Sequence, residues 1–321
     1  MQQNIDILKK KKILLLGDFL LDSFLFGTCN RLSPEAPVPI INYENEEINL
    51  GGAGNVLVNL INLGVKVTPV SILGKDQTSR EILKLLKNLK VNTSNIIIDK
   101  NYEGILKKRL VIKNQHVARI DYEKIDLEIC KKYKKKIKKN LEKIIFKSDL
   151  IVLSDYGKGF LNKEITQFVI RLANKLKIDT IVDPRKMSND YSIYNYCTYI
   201  TPNLNELRNI FPFIKNTNKD VNNASSKLLK KFKFKNVLVT RGEMGISLFN
   251  KKVIKNFKSS AKEVFDVSGA GDTVVAVLAA CILMKKNLID SIKISNLCAG
   301  YVISLRGTKP INLIKFKEFY K

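Results

Sequence analysis

Hydrophobic positions along the chain fall into short β-branched runs separated by stretches with helical spacing. Ile13–Gly17 reads as a first strand, Val56–Leu63 as a helix closed by Gly64, and Val65–Ile72 as the next strand. Glu81–Leu89 is helical, as is the amphipathic stretch around Lys131–Lys139. Leu150–Leu153, Ile178–Val182, Tyr199–Thr201 and Asn236–Thr240 are compact buried strands with helices between most of them. Ile246–Phe249 and Val253–Phe257 flank Asn250-Lys251-Lys252 as a hairpin, and Asp272–Met284 and Asp290–Ser304 close the chain as helices. This alternation predicts an α/β fold with a mostly parallel central sheet flanked by helices.

Two stretches interrupt the rhythm. Pro37–Leu50 and Tyr102–Tyr122 are extended and roughly alternating, with no helix between their strands. They are expected to pair with each other as a small satellite sheet. No internal repeat and no Pro/Gly/Ser linker divides the chain, so a single domain over residues 1–321 with this β insertion is expected.

Composition removes several functions. With 321 residues and 45% hydrophobic content the chain can bury a large core. No apolar run reaches the roughly eighteen residues of a membrane span. Met1–Lys12 is polar and basic and lacks the apolar stretch of a secretory signal, so a cytoplasmic location is expected. The five cysteines are scattered and contain no C-x-x-C pair, which argues against a disulfide framework. His116 is the only histidine, which excludes a His-based triad and an H-E-x-x-H metalloenzyme. The net charge of +26 invites a nucleic-acid reading. The charge is mostly lysine spread over helical faces, and no basic stretch interleaves with aromatics as a base-stacking surface would. Neither a nucleic-acid nor a membrane partner is expected.

The polar residues that follow the strands share a position. Gly17-Asp18, Ser154-Asp155, Asp183-Pro184, Thr201-Pro202-Asn203 and Thr240-Arg241-Gly242 all stand at strand carboxyl ends. In open α/β sheets the ligand lies outside those ends. Asp266-Val-Ser-Gly-Ala-Gly-Asp272 runs straight into an apolar helix. Its glycines let backbone approach an anion, and the helix start aims N–H groups at it. Asp272 there could take a proton from an attacking hydroxyl, or could simply cap the helix. Leu50-Gly-Gly-Ala-Gly-Asn55 also opens a helix, as a sugar-admitting turn or a plain tight one. It is no Rossmann fingerprint, and no Walker A motif occurs.

In content and order, Gly17-Asp18…Asp22, Gly-Gly-Ala-Gly-Asn55, Thr201-Pro-Asn-Leu-Asn-Glu206, Val239-Thr-Arg-Gly242 and Asp266…Gly-Ala-Gly-Asp272 resemble the ribokinase/PfkB carbohydrate kinases. The likeness covers nearly the whole chain. Arg31-Leu-Ser-Pro-Glu-Ala-Pro-Val-Pro39 and Asn114-Gln115…Arg119-Ile-Asp121 resemble the subgroup that phosphorylates D-glycero-β-D-manno-heptose 7-phosphate at O1, on the route to ADP-heptose and lipopolysaccharide core. The resemblance implies a ribokinase-like fold, ATP and Mg²⁺ as cofactors, and a homodimer formed through a β lid built by residues 37–50 and 102–122. It assigns Asp272 as catalytic base and Gly269, Ala270 and Gly271 as anion hole. Asn203, Leu204, Asn205 and Glu206 fall on the ATP–Mg²⁺ motif, with Glu206 on the metal directly or through another group. Thr240 and Gly242 fall on the nucleotide, and Asp18, Gly51, Gly52 and Asn55 on the sugar. Arg185, and after it Arg119, is implied for the sugar's own phosphate.

Two residues depart from the pattern. Ser268 stands where the family usually has Thr, and Arg185 where heptose kinases usually have Lys, which changes the geometry of that contact. Many such kinases also carry an adenylyltransferase domain, whose histidine-rich motif is not expected in this chain. Other readings remain: a kinase for a hexose, pentose or nucleoside, a sugar-binding regulator that lost catalysis, and a basic nucleic-acid binder.

Overall fold

The computed structural model describes residues 6–113, 115–185, 189–261, 263–305 and 307–320; Asn114 and Lys186 lie outside them. A nine-stranded sheet forms the body. Its strands, numbered along the chain, are β1 (Lys12–Gly17), β4 (Lys66–Leu73), β5 (Ile96–Ile98), β8 (Leu150–Ser154), β9 (Thr180–Asp183), β10 (Tyr199–Ile200), β11 (Asn236–Thr240), β12 (Ile246–Asn250) and β13 (Ile254–Phe257). Their order in space is β13-β12-β11-β10-β9-β8-β1-β4-β5. All neighbours are parallel except the terminal pairs β11/β12 and β12/β13.

Both faces of this sheet are covered, which explains its near-continuous apolar strands. In β1, Ile13 and Leu15 point into one core and Leu14 and Leu16 into the other. The first core packs under α1 (Ala53–Asn62), α2 (Gln77–Asn88), α7 (Ala270–Leu283), α8 (Leu288–Val302) and α9 (Leu313–Tyr320). The second packs under α3 (Ile129–Ile145), α4 (Lys163–Lys175), α5 (Leu204–Ile210) and α6 (Asn218–Phe232). Helix α7 is apolar all round because it is buried all round, Thr273 through Cys281 included.

The second sheet has four strands: β2 (Phe19–Leu32), β3 (Pro39–Gly52), β6 (Ile105–Ile112) and β7 (Gln115–Tyr122), in the order β3-β2-β6-β7. The two extended stretches therefore do not pair directly, as the sequence led one to expect. Phe19–Leu32 lies between them, antiparallel to β3 and parallel to β6. Its first half, Phe19 to Phe24, is buried throughout, so it shows no alternation of wet and dry positions. Phe19, Leu21 and Leu50 of this sheet join the first core of the body; in addition Lys309 Nζ donates to Glu47 at 2.7 Å, and His116 Nε2 stands 3.6 Å from Asp266 Oδ2.

Candidate active site

Five adjacent parallel strands, β11, β10, β9, β8 and β1, end on one edge of the body sheet. Along that edge their carboxyl ends present Thr240, Asn203, Asp183, Asp155 and Asp18 in spatial order. At β1 the chain order reverses, with β8 on one side and β4 on the other, which makes this the crevice of an open α/β sheet. The start of α7 and the four-stranded sheet close over the same place.

Asp272 is the centre of the arrangement. It lies in the first turn of α7 and is 6% exposed. Its Oδ2 accepts from Asn55 Nδ2 at 2.7 Å and its Oδ1 from the Tyr156 hydroxyl at 2.9 Å. Asn55 is fixed in turn by Asn59, whose Nδ2 donates to Asn55 O at 2.9 Å and whose Oδ1 accepts from Ile311 N at 2.9 Å. Gly269 precedes the helix with φ +80°, in the left-handed region, and a Cβ there would stand 2.5 Å from Asn55 Nδ2. Glycine at 269 is thus what lets the Asn55–Asp272 bond form. A Cβ on Gly271 would meet nothing within 4 Å, so the turn is open on that side. Ala270 is spent locally, its amide bonding Val267 O at 3.3 Å.

In the Gly-Gly-Ala-Gly-Asn55 motif, Gly51 and Gly52 sit where β3 meets the start of β2. A Cβ on Gly51 would stand 2.1 Å from Asp22 Oδ2, so the glycine makes room for that carboxylate. Asp22 pairs with Arg109, whose guanidinium lies 5.1 Å over the Phe24 ring. Asp18 is turned away from the opening. It is 1% exposed, and its carboxylate accepts from the amides of Tyr156 (3.2 Å), Lys158 (3.1 Å) and Phe160 (3.3 Å). Burial, with the neighbouring Asp155 carboxylate, pushes Asp18 up to about 7 against those three amides.

At the other end of the crevice, Asn203 and Glu206 cap α5 reciprocally. Asn203 N donates to Glu206 Oε2 at 2.8 Å, Asn203 Nδ2 to Oε1 at 2.6 Å, and Glu206 N to Asn203 Oδ1 at 2.9 Å. Asn203 also bridges Thr240 between strand ends. Leu204 packs against the second core, and Asn205 is exposed and accepts from Arg208. Those two members of the motif therefore point elsewhere. Gly242 has φ +58° and open space where a Cβ would be. Arg241, between Thr240 and Gly242, is buried at 3% and holds Asn216, Asn218 and Ser247. Its work is to hold that turn. Among the described residues no group of three or more His, Cys, Asp or Glu is placed to hold a metal ion.

Arg185 follows β9 and packs across Gly157, 3.6 Å from where its Cβ would be. It lines a cavity of about 310 Å³ with Gly159, Asn162, Lys163, Asn189 and Ser192. Arg119 is on β7, ion-paired to Asp121 at 2.8 Å and half exposed. Strand pairing aligns Asn49, Asp22, Lys107 and Asp121 in one row and Glu47, Phe24, Arg109 and Arg119 in the next. Arg119 thus shares a face with Asp22. Sequence reasoning missed Tyr156 and Arg109. The first carries no local signal beyond following a strand end, and the second falls inside a basic strand.

A family model described as "pfkB family carbohydrate kinase" matches residues 14–314. Bifunctional protein HldE of Aliarcobacter butzleri is 40% identical over 312 residues, covering 97% of this chain and 64% of that protein. The HldE of Campylobacter fetus is 40% identical over 296 residues, 92% of this chain and 63% of its own. The chain therefore spans somewhat less than two-thirds of these relatives. Arabidopsis thaliana ribokinase complexed with ribose and ATP shares the fold at TM-score 0.74 and 17% identity, over 97% of this chain and 99% of that one. Escherichia coli phosphofructokinase-2 complexed with fructose-6-phosphate does so at 0.75 and 18%, over 97% and 98%.

Proposed function

The chain belongs to the pfkB family of carbohydrate kinases, and from that premise we propose that it transfers the γ-phosphoryl group of ATP to O1 of D-glycero-β-D-manno-heptose 7-phosphate. The product is the 1,7-bisphosphate, on the route to ADP-heptose and lipopolysaccharide core. The observation that carries the phosphotransfer reading is the seating of Asp272. A buried carboxylate is held by two donors at the start of a helix, directly behind an open glycine turn.

In this reading Asp272 takes the O1 proton as that oxygen attacks the γ-phosphorus. The bond from phosphorus to the β–γ bridging oxygen breaks, and ADP leaves. Little covalent work falls to the protein, so positioning and charge stabilisation dominate. The Gly269–Gly271 turn and the start of α7 receive the transferring phosphoryl oxygens, since a helix start leaves its first amides without intrahelical partners. Thr240 and Gly242, with Asn203, hold the nucleotide at the β10–β11 end. Magnesium is bound largely by substrate phosphates and waters plus one or two carboxylates. Glu206, held by Asn203, is the carboxylate this end offers, and the ion would neutralise phosphate charge there. Asn55 and Asp22 face the sugar, Gly51 makes room for Asp22, and Asp18 acts from beneath by anchoring the 156–160 loop. Arg185, and after it Arg119, meets the 7-phosphate.

The heptose assignment is supported by the Arg31–Pro39 run and by the likeness to the HldE proteins. The lid face turned from the crevice supports a homodimer. It carries Leu25, Leu110 and Ala118 in one row with Glu46, and Ile48 and Ile120 in the next with Ser23 and Lys108, whose ammonium pairs with Glu46 at 3.4 Å. Ile48 is 38% and Ile120 51% exposed. The test is ADP release from ATP–Mg²⁺ across a panel of sugars and sugar phosphates. Heptose 7-phosphate should give the highest kcat/KM. Preference for an unphosphorylated sugar would remove the heptose assignment and leave the family activity.

A further inference from the structure

We propose that Tyr156 is a positioning residue of the phosphoryl-transfer step. With the Asn55 amide, its phenol holds the Asp272 carboxylate in one orientation for the attack of the incoming hydroxyl. This rests on the reading of Asp272 as the base.

The two donors come from different elements, Asn55 from α1 and Tyr156 from the loop after β8. Each takes a different oxygen of Asp272, at 2.7 and 2.9 Å. The two donors therefore hold the carboxylate from both sides rather than competing for one oxygen. Two donors on opposite oxygens also stop the carboxylate from turning, and a fixed base is worth more than a mobile one.

The loop that presents the phenol is itself over-determined. Asp18 accepts from the amides of residues 156, 158 and 160. Asp155 accepts from Gly157 N at 2.8 Å and from the Tyr194 hydroxyl at 2.6 Å. Gly157 and Gly159 have φ of +70° and +107°, and a Cβ on Gly159 would stand 2.0 Å from Asp126 O. Two buried carboxylates and two glycines thus hold one tyrosine against the base. Burial, with Asp272, Asp183 and Asp22 nearby, keeps the phenol well above its ordinary pKa, so it is a donor throughout the neutral range. Charged groups near the pair include Asp22 with Arg109 from the four-stranded sheet, Asp18 and Asp155 beneath the loop, and Asp183 and Arg185 from the end of β9. Exchanging Tyr156 for Phe alters none of them.

The experiment compares Tyr156→Phe with the wild type and with Asp272→Asn, using ATP–Mg²⁺ and the best sugar phosphate from the panel. Phe keeps the ring and removes only the donor. A hydrogen bond to the charged form favours it, so losing the bond moves the acid limb of kcat/KM to higher pH, by about one unit. kcat falls about 10–100-fold, the scale of a charge-assisted bond, while the KM for ATP stays put. Replacing Tyr156 with 3-fluorotyrosine, a stronger donor, moves the acid limb the opposite way. A Tyr156→Phe enzyme with wild-type kcat and an unmoved acid limb, beside an inactive Asp272→Asn, overturns the role of Tyr156 alone. Full turnover by Asp272→Asn overturns the base assignment and this inference with it.

Discussion

The body sheet and the lid sheet are built from similar strands and hold them in opposite ways. In β1 the four residues Ile13 to Leu16 are all 0% exposed, sealed between two layers of helices. In β7 all eight residues from Gln115 to Tyr122 are exposed. The body strands are specified by burial, since any slip in register would move apolar side chains into water or into a clash. The lid strands get their register mainly from β2, whose first half is anchored in the body. They carry Asp22, Arg109 and Arg119 beside Phe24 on the crevice face, and on the other face Leu25, Leu110, Ile48 and Ile120 mixed with Glu46, Ser23 and Lys108. The difference teaches that the body strands are sealed on both faces, whereas the four-stranded sheet leaves surface open, and the proposed function assigns one face to substrate and the other to a second copy.

Breaking this comparison begins at the seam between the regions. Asp272→Asn should lower kcat by about 10²–10⁴, the usual share of a general base. Thermal unfolding should stay close to wild type, because the amide keeps the volume and one acceptor. If unfolding falls sharply instead, Asp272 belongs to the scaffold. Next in size, Leu15→Ala in the body should cost about 2–5 kcal/mol by leaving a cavity under α7, read as a lower midpoint in urea. The smallest effect on stability is expected from Ile120→Lys on the outer lid face. It should change monomer stability by no more than about 0.5 kcal/mol, as an exposed site does. It should nevertheless shift the sedimentation coefficient from dimer toward monomer. A wild type that sediments as a monomer at all concentrations would take the second copy out of the comparison.

Much of the site was legible before the structure. Glycine turns at helix starts and polar residues after buried strands are local patterns, and local patterns survive folding. Those marks singled out Asp272, Gly269, Asn55 and Asn203, while Glu206 came from the family resemblance and its reciprocal cap with Asn203 from the structure. Contiguity misled where neighbours in sequence face different ways. Leu204 and Asn205 sit inside a motif, but a helical turn sends one into the core and the other to solvent. Asp18 stands at a strand end like the rest, and its carboxylate is consumed by backbone amides.

The sequence by itself determined the α/β alternation, the mostly parallel sheet and the family, because burial on two faces and tight glycine turns each need particular residues at particular spacings. Only the tertiary structure decided that Phe19–Leu32 is the centre of the lid. A strand half buried in the body and half exposed beyond it has no single periodicity to read. Only the tertiary structure, too, brought Tyr156 to Asp272 across 116 positions and Arg109 to Asp22 across 87. Such pairs are made by the packing of a loop or strand against a distant helix or sheet, and no spacing along the chain encodes them.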